Sequence, residues 1–500
     1  MDDEARDAEP FVVVEGTPGG CGVSGRAAVR IAQPWPRDPS SSDVFAEWRW
    51  DGESLRVRND RWGFQPVFYC GSKSRIAVST SILVLLRHGA PPDLDDTALA
   101  VFLRLSHFLG TDTPFRSIRA LPRAARLTWR PGAEPELATE SRPQPVDRLS
   151  RESAVDGYLT LFREAVRRRL PLEGDRVVVP LSGGRDSRHI LFELARAGCR
   201  PDETITIHHY PPASDRDSVI APQVAAAAGV AHVAIPLDPR RVQLERRKNL
   251  MTSFCADRHA QMVPVVDYLR GRADVIYDGL GGDVLSGTRL ETVAREMALL
   301  SSGRCSEVAT RHLQAHSSEE ALNAVLQPAA RRRFSFEAAC ARVADELRRH
   351  VDSPHPWGSF RVQNRTARSV ALLPLAMLAR SARVMTPYLD RDLADFLATV
   401  PAPVLADGRL HEEVITRAFP EHAHIRYDDG RSGQRLAAAY YRRLSWDLAR
   451  EALRTRTSPL VRRGFLGSRL IKAAATGAPP WISERQAVYL MQLEALAAAR

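Results

Sequence analysis

Residues 181–190, LSGGRDSRHI, join an apolar run to an amphipathic segment, and this junction decides the fold of the chain. The preceding DRVVVPL (175–181) is continuously apolar in its middle, which is typical of a buried parallel strand. The following DSRHILFELARAG (186–198) has helical spacing and brings Gly198 to the C-terminal end of a helix. The sequence therefore predicts a strand, a tight turn through SGGR, and a helix.

The SGGR turn has the features of a phosphate-binding loop. Gly183 and Gly184 have no Cβ, so their N–H groups can face a concavity above the helix N-terminus, where partial positive charge favours anions. No Lys-Ser/Thr pair follows, which excludes a Walker A loop. The plainer alternative is a tight turn capped by Asp186 or Ser187.

Asp186 indicates that the loop binds a metal ion together with phosphate. A carboxylate at a helix start repels phosphate unless a cation lies between them, and Mg²⁺ accepts such oxygen ligands. We therefore predict a pyrophosphate site with magnesium. Its position, the carboxyl end of a parallel strand, is where open α/β sheets bind ligands.

Composition excludes several classes of protein. Of the 500 residues, 44% are hydrophobic and 26% charged, which is typical of a soluble protein with two or three domains. No apolar run is long enough for a membrane span, and the acidic start MDDEARDAEP is not a signal peptide. The six cysteines form no CxxC pair, which argues against a zinc site or a disulfide scaffold. We expect a cytoplasmic protein that does not bind membranes.

The formal net charge of +10 does not indicate a nucleic-acid-binding protein. Only three of the 70 basic residues are lysine (Lys73, Lys248 and Lys472), and the arginines are dispersed, with no long basic tail. Codon composition explains such a bias. The alternative is an acidic partner, such as nucleotide phosphates or an anionic peptide.

Changes in patterning divide the chain into three parts. Residues 1–130 contain short β-branched or aromatic runs and one clear helix, 95–109. A proline-rich stretch, 131–152, is predicted to be a linker. In 153–500, strand-like and helical segments alternate, which indicates a parallel sheet, and helices dominate from about residue 290.

Four segments in order resemble the asparagine synthetase family of ATP pyrophosphatases. LSGGRDS is similar to that family's SGGxDS loop, and YDGLGGDVLSG (277–287) to its second loop, usually SGEGADELFGG. PYLDRDLADFLATVP (387–401) resembles its PFLD segment, and NDRWGFQPVFY (59–69) its RDRLGIKPLYY. The resemblance implies an α/β fold with a shortened, β-rich α+β glutaminase-like domain of the N-terminal-nucleophile type. A parallel-sheet ATP-pyrophosphatase domain (adenine nucleotide α-hydrolase-like) with a helical C-terminal part follows it.

The resemblance also implies chemistry and site residues. ATP would convert a carboxylate into an acyl-adenylate with release of pyrophosphate, and an amine would then form an amide and release AMP. Asp186 and Asp283 would be the magnesium ligands. The nucleotide-binding residues would be Leu181, Ser182, Gly183, Gly184, Arg185, Asp186, Ser187, Gly279, Gly281 and Gly282.

Departures from the family pattern affect the nitrogen source. Glutamine-hydrolysing members begin Met-Cys, whereas this chain begins Met1-Asp2-Asp3. The CGVSG at Cys21 lies too close to the NDRWG segment to leave room for a glutamine pocket. We therefore expect the first domain to be an inactive relic that makes no ammonia.

The synthetase part departs from the pattern too. The family's second-loop glutamate is Leu280 here, so the general base is not identified, and the family's late lysine is missing. Arg426 or Arg431 would have to take its place and neutralise the departing phosphate.

Further substrate contacts are weaker candidates. His208 and His209 follow the strand TITI, while Asp257 and His259 precede a helix that faces the second loop. For His208 and His209 the alternative is an ordinary polar role at a strand end. Arg365 and Arg368 lie on a helix where they either receive a substrate carboxylate or form a solvated flank.

Without a glutaminase, the amine must come with the substrate. In this respect the chain is most similar to lasso peptide macrolactam synthetases, which close an Asp or Glu side chain onto a peptide N-terminus. That resemblance implies a precursor peptide as substrate and a leader-peptide protease as a functional partner. The alternatives are a small-molecule amide or β-lactam synthetase, an ammonia-dependent enzyme, and a non-catalytic scaffold.

Overall fold

Two antiparallel sheets form the N-terminal part of the computed structural model, which describes residues 9–17, 20–140, 149–210, 213, 215–287, 290–316, 318–353, 355–428, 438–454, 458–480 and 482–498. The strand orders are β2-β1-β7-β6-β8 and β10-β9-β5-β4-β3. The strands are β1 (Phe11–Thr17), β2 (Gly20–Gly25), β3 (Ala28–Ala32), β4 (Phe45–Trp50), β5 (Leu55–Asn59), β6 (Phe68–Gly71), β7 (Arg75–Ser79), β8 (Arg119–Ala120), β9 (Ala125–Trp129) and β10 (Glu136–Thr139).

Alternation along the strands places a core on each face of the first sheet. Val12 and Val14 of β1 pack with Trp48 and Trp129 of the second sheet. Val13, between them, faces the opposite side and the helices α1 (Ile82–Arg87) and α2 (Asp96–Leu105). This period of two is the pattern that the sequence showed in its β-rich first part.

Five parallel strands form the central sheet of the second part, in the order β13-β12-β11-β14-β15. The chain runs outward from β11 in one direction and then returns to build the other side, so β11 lies at a topological switch point. The elements of this part are α3 (Arg151–Arg168), β11 (Val177–Pro180), α4 (Asp186–Arg196), β12 (Glu203–Ile207), α5 (Asp217–Ala227), β13 (His232–Ile235), α6 (Arg241–Met251), α7 (Val263–Leu269), β14 (Val275–Tyr277), α8 (Gly282–Ser286) and β15 (Arg383–Met385).

The rest of the chain is helical. Two π-helical stretches, Val362–Val370 and Leu373–Met377, precede β15, and a 3₁₀ turn, Pro387–Leu389, follows it. The rings of Phe102 on α2 and Tyr489 stack with centroids 4.5 Å apart, which joins the C-terminal helices to the first part of the chain. These helices are α9 (Leu290–Ser301), α10 (Cys305–His316), α11 (Glu319–Val325), α12 (Pro328–Arg333), α13 (Phe336–Arg348), α14 (Pro356–Arg361), α15 (Arg391–Thr399), α16 (Ala402–Leu405), α17 (Leu410–Ala418), α18 (Ala438–Leu453), α19 (Arg463–Thr476) and α20 (Glu484–Ala498).

The predicted α/β organisation is confirmed: antiparallel sheets come first, then a parallel five-stranded sheet, then helices. The domain boundaries stay a prediction. Within the stretch 131–152, β10 pairs with β9 as part of the second sheet, and residues 141–148 lie outside the described residues. Among the described residues, no helix is long and apolar enough to cross a membrane.

Candidate active site

A cavity of about 380 Å³ opens at the carboxyl ends of β11, β12 and β14. Both predicted loops contribute to its wall. The lining residues that the sequence had singled out in these loops are Leu181, Ser182, Asp186, Ser187, Gly279, Leu280, Gly281 and Asp283. Gly183, Gly184, Arg185 and Gly282 belong to the same two loops but do not line the cavity.

The first loop is held by its own hydroxyl groups. The Ser182 N–H donates to Ser187 Oγ at 3.1 Å, and the Gly184 N–H donates to Ser182 Oγ at 3.2 Å. Asp186 begins α4 and makes no capping hydrogen bond there. Ser187 thus has the turn-stabilising role of the plainer alternative, whereas the Asp186 carboxylate remains available to the cavity.

Glycines let the second loop approach Asp186 closely. A Cβ on Gly279 would lie 2.6 Å from Asp186 Cβ, and one on Gly282 would lie 2.5 Å from Asp186 Cγ. The Asp283 N–H points to Asp186 Oδ2 at 3.4 Å. Any side chain at Gly279 or Gly282 would force the two loops apart.

The carboxylates fit a magnesium ion. Asp186 Oδ1 is buried and has no hydrogen-bond partner among the described residues. Burial and the nearby carboxylates of Asp283 and Asp278 raise the pKa of Asp186 well above its ordinary value, which is the electrostatic signature of acids gathered without a cation. No group of three or more His, Cys, Asp or Glu side chains in the described ranges forms a metal site by itself. Two carboxylates would therefore leave positions for phosphate oxygens and water, as Mg²⁺ usually requires.

A buried network behind Asp186 fixes its backbone. The Tyr388 hydroxyl donates to the Asp186 carbonyl oxygen at 3.1 Å and lies 3.1 Å from His411 Nε2. His411 Nδ1 is 3.4 Å from Asp186 Oδ1. Burial lowers the pKa of His411 to about 3, so its ring is neutral at neutral pH. The PYLD segment thus supports the backbone of Asp186 through Tyr388. Sequence reasoning gave no role to His411.

A late backbone segment lies against the first loop. Arg188 on α4 donates to the carbonyl oxygens of Ile425 and Arg426, each at 2.7 Å, and the Asp428 N–H donates to the Gly183 carbonyl at 3.0 Å. Arg426 is exposed and does not line the cavity, and Arg431 lies outside the described residues. Which of them serves a phosphate stays a prediction.

Arg185 turns toward the same late segment. Its Nη2 is 3.0 Å from Glu412 Oε2, and its guanidinium carbon is 5.2 Å from the centre of the Tyr427 ring. The cation in the SGGR sequence is therefore fixed beside the loop.

The two strand-end histidines have different positions. His208 pairs with Asp215, with Nδ1 2.8 Å from Oδ2, and does not line the cavity. His209 does line it, and a hydrogen bond with Asp217 raises its pKa. Asp217 also accepts the Gly183 N–H at 2.7 Å, so this aspartate, missed by sequence reasoning, joins the loop to His209.

Asp257 and His259 also differ in their position relative to the cavity. Asp257 is buried beside Arg485, with Nε 3.3 Å from Oδ2, and does not line the cavity. His259 lines the cavity together with Leu280 and Arg365. Arg368 is directed elsewhere, because its Nη2 donates to the Asp112 carbonyl at 2.7 Å.

An apolar wall completes the cavity, and the sequence analysis did not predict it. Its side chains come from the end of β12, from the start of α7 and from the second π-helical stretch. They are Ile205, Ile207, Met262, Val265, Leu373 and Pro374. Such a wall suits a flat apolar group such as a purine base.

Cys21 is placed within a strand of the first sheet. It lies in β2, where it pairs with Gly16 of β1. Gly20 precedes Cys21 in this strand, so the Cys21 nitrogen is a peptide nitrogen, whereas an N-terminal nucleophile needs a free amino group.

A family model described as asparagine synthase matches residues 157–424, more than half of the chain, so the protein belongs to the asparagine synthase family. Membership of this family supports an ATP-dependent ligase that forms amide bonds. This family uses ATP and typically Mg²⁺. A comparison with curated proteins gives no match.

Proposed function

We propose that this protein joins a carboxylate to an amine of its own substrate through an acyl-adenylate, without taking nitrogen from glutamine. One observation carries the proposal. The half-buried carboxylate of Asp186, the exposed carboxylate of Asp283 and the first loop share a cavity with an apolar wall and with a second polar wall containing His259 and Arg365. The cavity thus has groups for a nucleotide and groups left over for an acyl substrate.

In the first step, the loop and the N-terminus of α4 would hold the β- and γ-phosphates of ATP. The partial positive charge at the N-terminus of the helix favours anions there. Asp186 and Asp283 would hold Mg²⁺, which offsets phosphate charge when bound. A substrate carboxylate oxygen attacks the α-phosphorus, and pyrophosphate leaves with the electron pair of the broken P–O bond.

In the second step, the amine attacks the acyl carbon and AMP leaves. The position of Cys21 inside β2 supports an amine that does not come from glutamine. We infer that the amine is part of the substrate and that the closest functional analogue is macrolactam closure. The side-chain carboxylate of an Asp or Glu in a precursor peptide would join the peptide's own N-terminus after a leader-peptide protease has exposed it.

A small-molecule amide or β-lactam synthetase is the second candidate. The cavity volume of about 380 Å³ favours it, because a nucleotide alone fills much of that space. An ammonia-dependent enzyme would share the same first step and would differ only in taking a free amine.

Exchange of labelled pyrophosphate into ATP tests the first step. The probes are a linear peptide with a free N-terminal glycine and one aspartate, the same peptide with an acetylated N-terminus, and free aspartate with ammonia. Both peptides should support exchange, and only the free peptide should lose one water to form a ring. Formation of ADP, or no exchange with any carboxylate probe, would refute the adenylation proposal. Exchange with free aspartate alone would favour a small-molecule substrate.

A further inference from the structure

His259 has a backbone conformation that residues other than glycine rarely adopt. Its φ angle is +83°, in the left-handed region, immediately before a 3₁₀ turn, Ala260–Met262. Ser253 and Phe254, earlier in the same loop, also have positive φ. Strained backbone of this kind persists only where the surroundings fix it, and it concentrates at functional sites.

The surroundings that fix this loop are ionic and fully buried. Lys248 Nζ donates to the carbonyl oxygens of Ala256 and Asp257 at 2.8 and 2.9 Å. The same Nζ is 3.2 Å from Glu245 Oε2, and neither side chain is exposed. This buried cation holds the loop in place from α6, two residues before His259.

Hydrogen bonding fixes the tautomer of the His259 ring. Nε2 is 3.3 Å from the Ser369 carbonyl oxygen, which lies in the first π-helical stretch. A carbonyl oxygen can only accept, so Nε2 carries the hydrogen and Nδ1 carries the lone pair. Nδ1 makes no hydrogen bond within the described part of the chain.

The charges around the ring keep it neutral. Burial, followed by the positive charge of Lys248 and those of Arg258 and Arg365, lowers the pKa of His259 to about 4. The same positive charges disfavour an ammonium group in this half of the cavity, so an amine would bind there in its uncharged, nucleophilic form.

Other bases on the cavity wall are engaged elsewhere. Asp278 accepts the Leu280 N–H at 2.8 Å and belongs to the carboxylate cluster of Asp186. His209 is bonded to Asp217. At the second-loop position where the family pattern has a glutamate, this chain has Leu280, whose apolar side chain cannot act as a base. His259 is the basic side chain on this wall with a free lone pair among the described residues.

We propose that His259 is the general base of the amide-forming step, accepting at Nδ1 the proton that the amine loses. This inference rests on the proposed function. The amine nitrogen attacks the acyl carbon and forms the C–N bond while its proton passes to Nδ1. The C–O bond to AMP then breaks, AMP leaves with the electron pair, and the imidazolium returns its proton to water. The neighbouring cations favour that return.

Two substitutions separate this role from a structural one. His259→Gln can keep a donor for the Ser369 carbonyl but has no basic nitrogen. His259→Gly suits the positive φ and leaves space for added imidazole. His232→Gln, a histidine on β13 that does not line the cavity, is the matched control.

Three assays use the linear peptide with a free N-terminal glycine and one aspartate. They measure pyrophosphate exchange, trapping of the adenylate by hydroxylamine, and ring closure. In His259→Gln, exchange and trapping should stay within about threefold of wild type. Ring closure should fall roughly 10²–10⁴-fold, the usual contribution of a positioned base. In His259→Gly, added imidazole should restore closure, and His232→Gln should behave as wild type.

Normal closure by His259→Gln, or exchange without imidazole rescue in His259→Gly, would overturn the assignment. Loss of exchange and closure together in both variants would also overturn it, because His259 would then act in substrate binding or folding. Absence of exchange in the wild-type protein would instead reject the proposed function.

Discussion

Replacing Asp186 with asparagine should stabilise the metal-free protein while it slows turnover roughly a hundredfold. The Asp186 carboxylate is half-buried, its Oδ1 is buried without a hydrogen-bond partner among the described residues, and it lies beside Asp283 and Asp278. Two unit charges about 4 Å apart interact by roughly 4 kcal/mol at an effective dielectric constant of about 20, and the repulsion falls in proportion as their separation grows. Solvent at the exposed Asp283 reduces this, so we expect a gain of about 1–2 kcal/mol in unfolding free energy.

Activity should change in the opposite direction. Asparagine keeps the shape of Asp186 but removes one negative charge from the proposed magnesium shell. A loss of about 3 kcal/mol in transition-state stabilisation corresponds to roughly a 10²-fold slower turnover. Asp283→Asn should lose activity to a similar degree but gain less stability. The double variant should be little slower than either single one, because both act on one site.

Urea unfolding with and without Mg²⁺, together with AMP release, measures both effects. Mg²⁺ should stabilise the wild-type protein and not Asp186→Asn. The control is Asp202→Asn, at the amino edge of the same sheet, where Oδ2 accepts the Val177 N–H at 2.7 Å. If Asp186 only shaped the turn, its asparagine variant would turn over normally and lose about 1 kcal/mol of stability. That result would refute the metal assignment.

Three further expectations concern other parts of the chain. Although burial opposes it, the nearby His350 ring, with Nε2 3.6 Å from Oε1, and the charge and hydrogen bond of Arg342, with Nη1 3.0 Å from Oε2, hold the pKa of Glu346 at about 2, below its ordinary 4.5. Its contribution of about 3 kcal/mol is therefore complete above pH 4.5 and lost as pH falls through 2, and Glu346→Gln should flatten acid unfolding followed by fluorescence. Arg188→Met removes two hydrogen bonds that hold the late segment, so the KM for ATP should rise roughly tenfold, and an unchanged KM would contradict this role. Neither the wild-type protein nor Cys21→Ala should release labelled glutamate from labelled glutamine. Glutamate release by the wild-type protein that Cys21→Ala abolishes would show that the first domain is an active glutaminase.

Local chemistry explains why the sequence predicted one half of the site. The strand, turn and helix of residues 175–198 are neighbours in the chain, and their glycines and aspartate carry phosphate and metal chemistry by themselves. The second loop, 277–287, was found by its resemblance to a family pattern. The alternation of strand-like and helical segments then predicted the parallel sheet. Its strands could be recognised as continuous apolar runs, because helices bury both of their faces.

The other half of the site depends on contacts that sequence spacing does not contain. His259 reaches Ser369, 110 residues away, and the Tyr388 hydroxyl reaches the backbone of Asp186 across 202 residues. Arg188 was one more polar residue on an amphipathic helix until the fold brought residues 425–428 above it. The short strand β15 was also missed, since three residues give too little alternation to recognise.

The complete burial of Lys248 has a practical consequence for labelling the protein. Lys73 and Lys472 are the other two lysines, and both are exposed, one at the turn between β6 and β7 and one on α19. Amine-reactive dyes will therefore modify these two side chains, both of which lie outside the cavity wall. Attachment to a surface or a fluorophore by this route should leave turnover intact. Slow modification of Lys248 would, in turn, report the opening of the loop that carries His259.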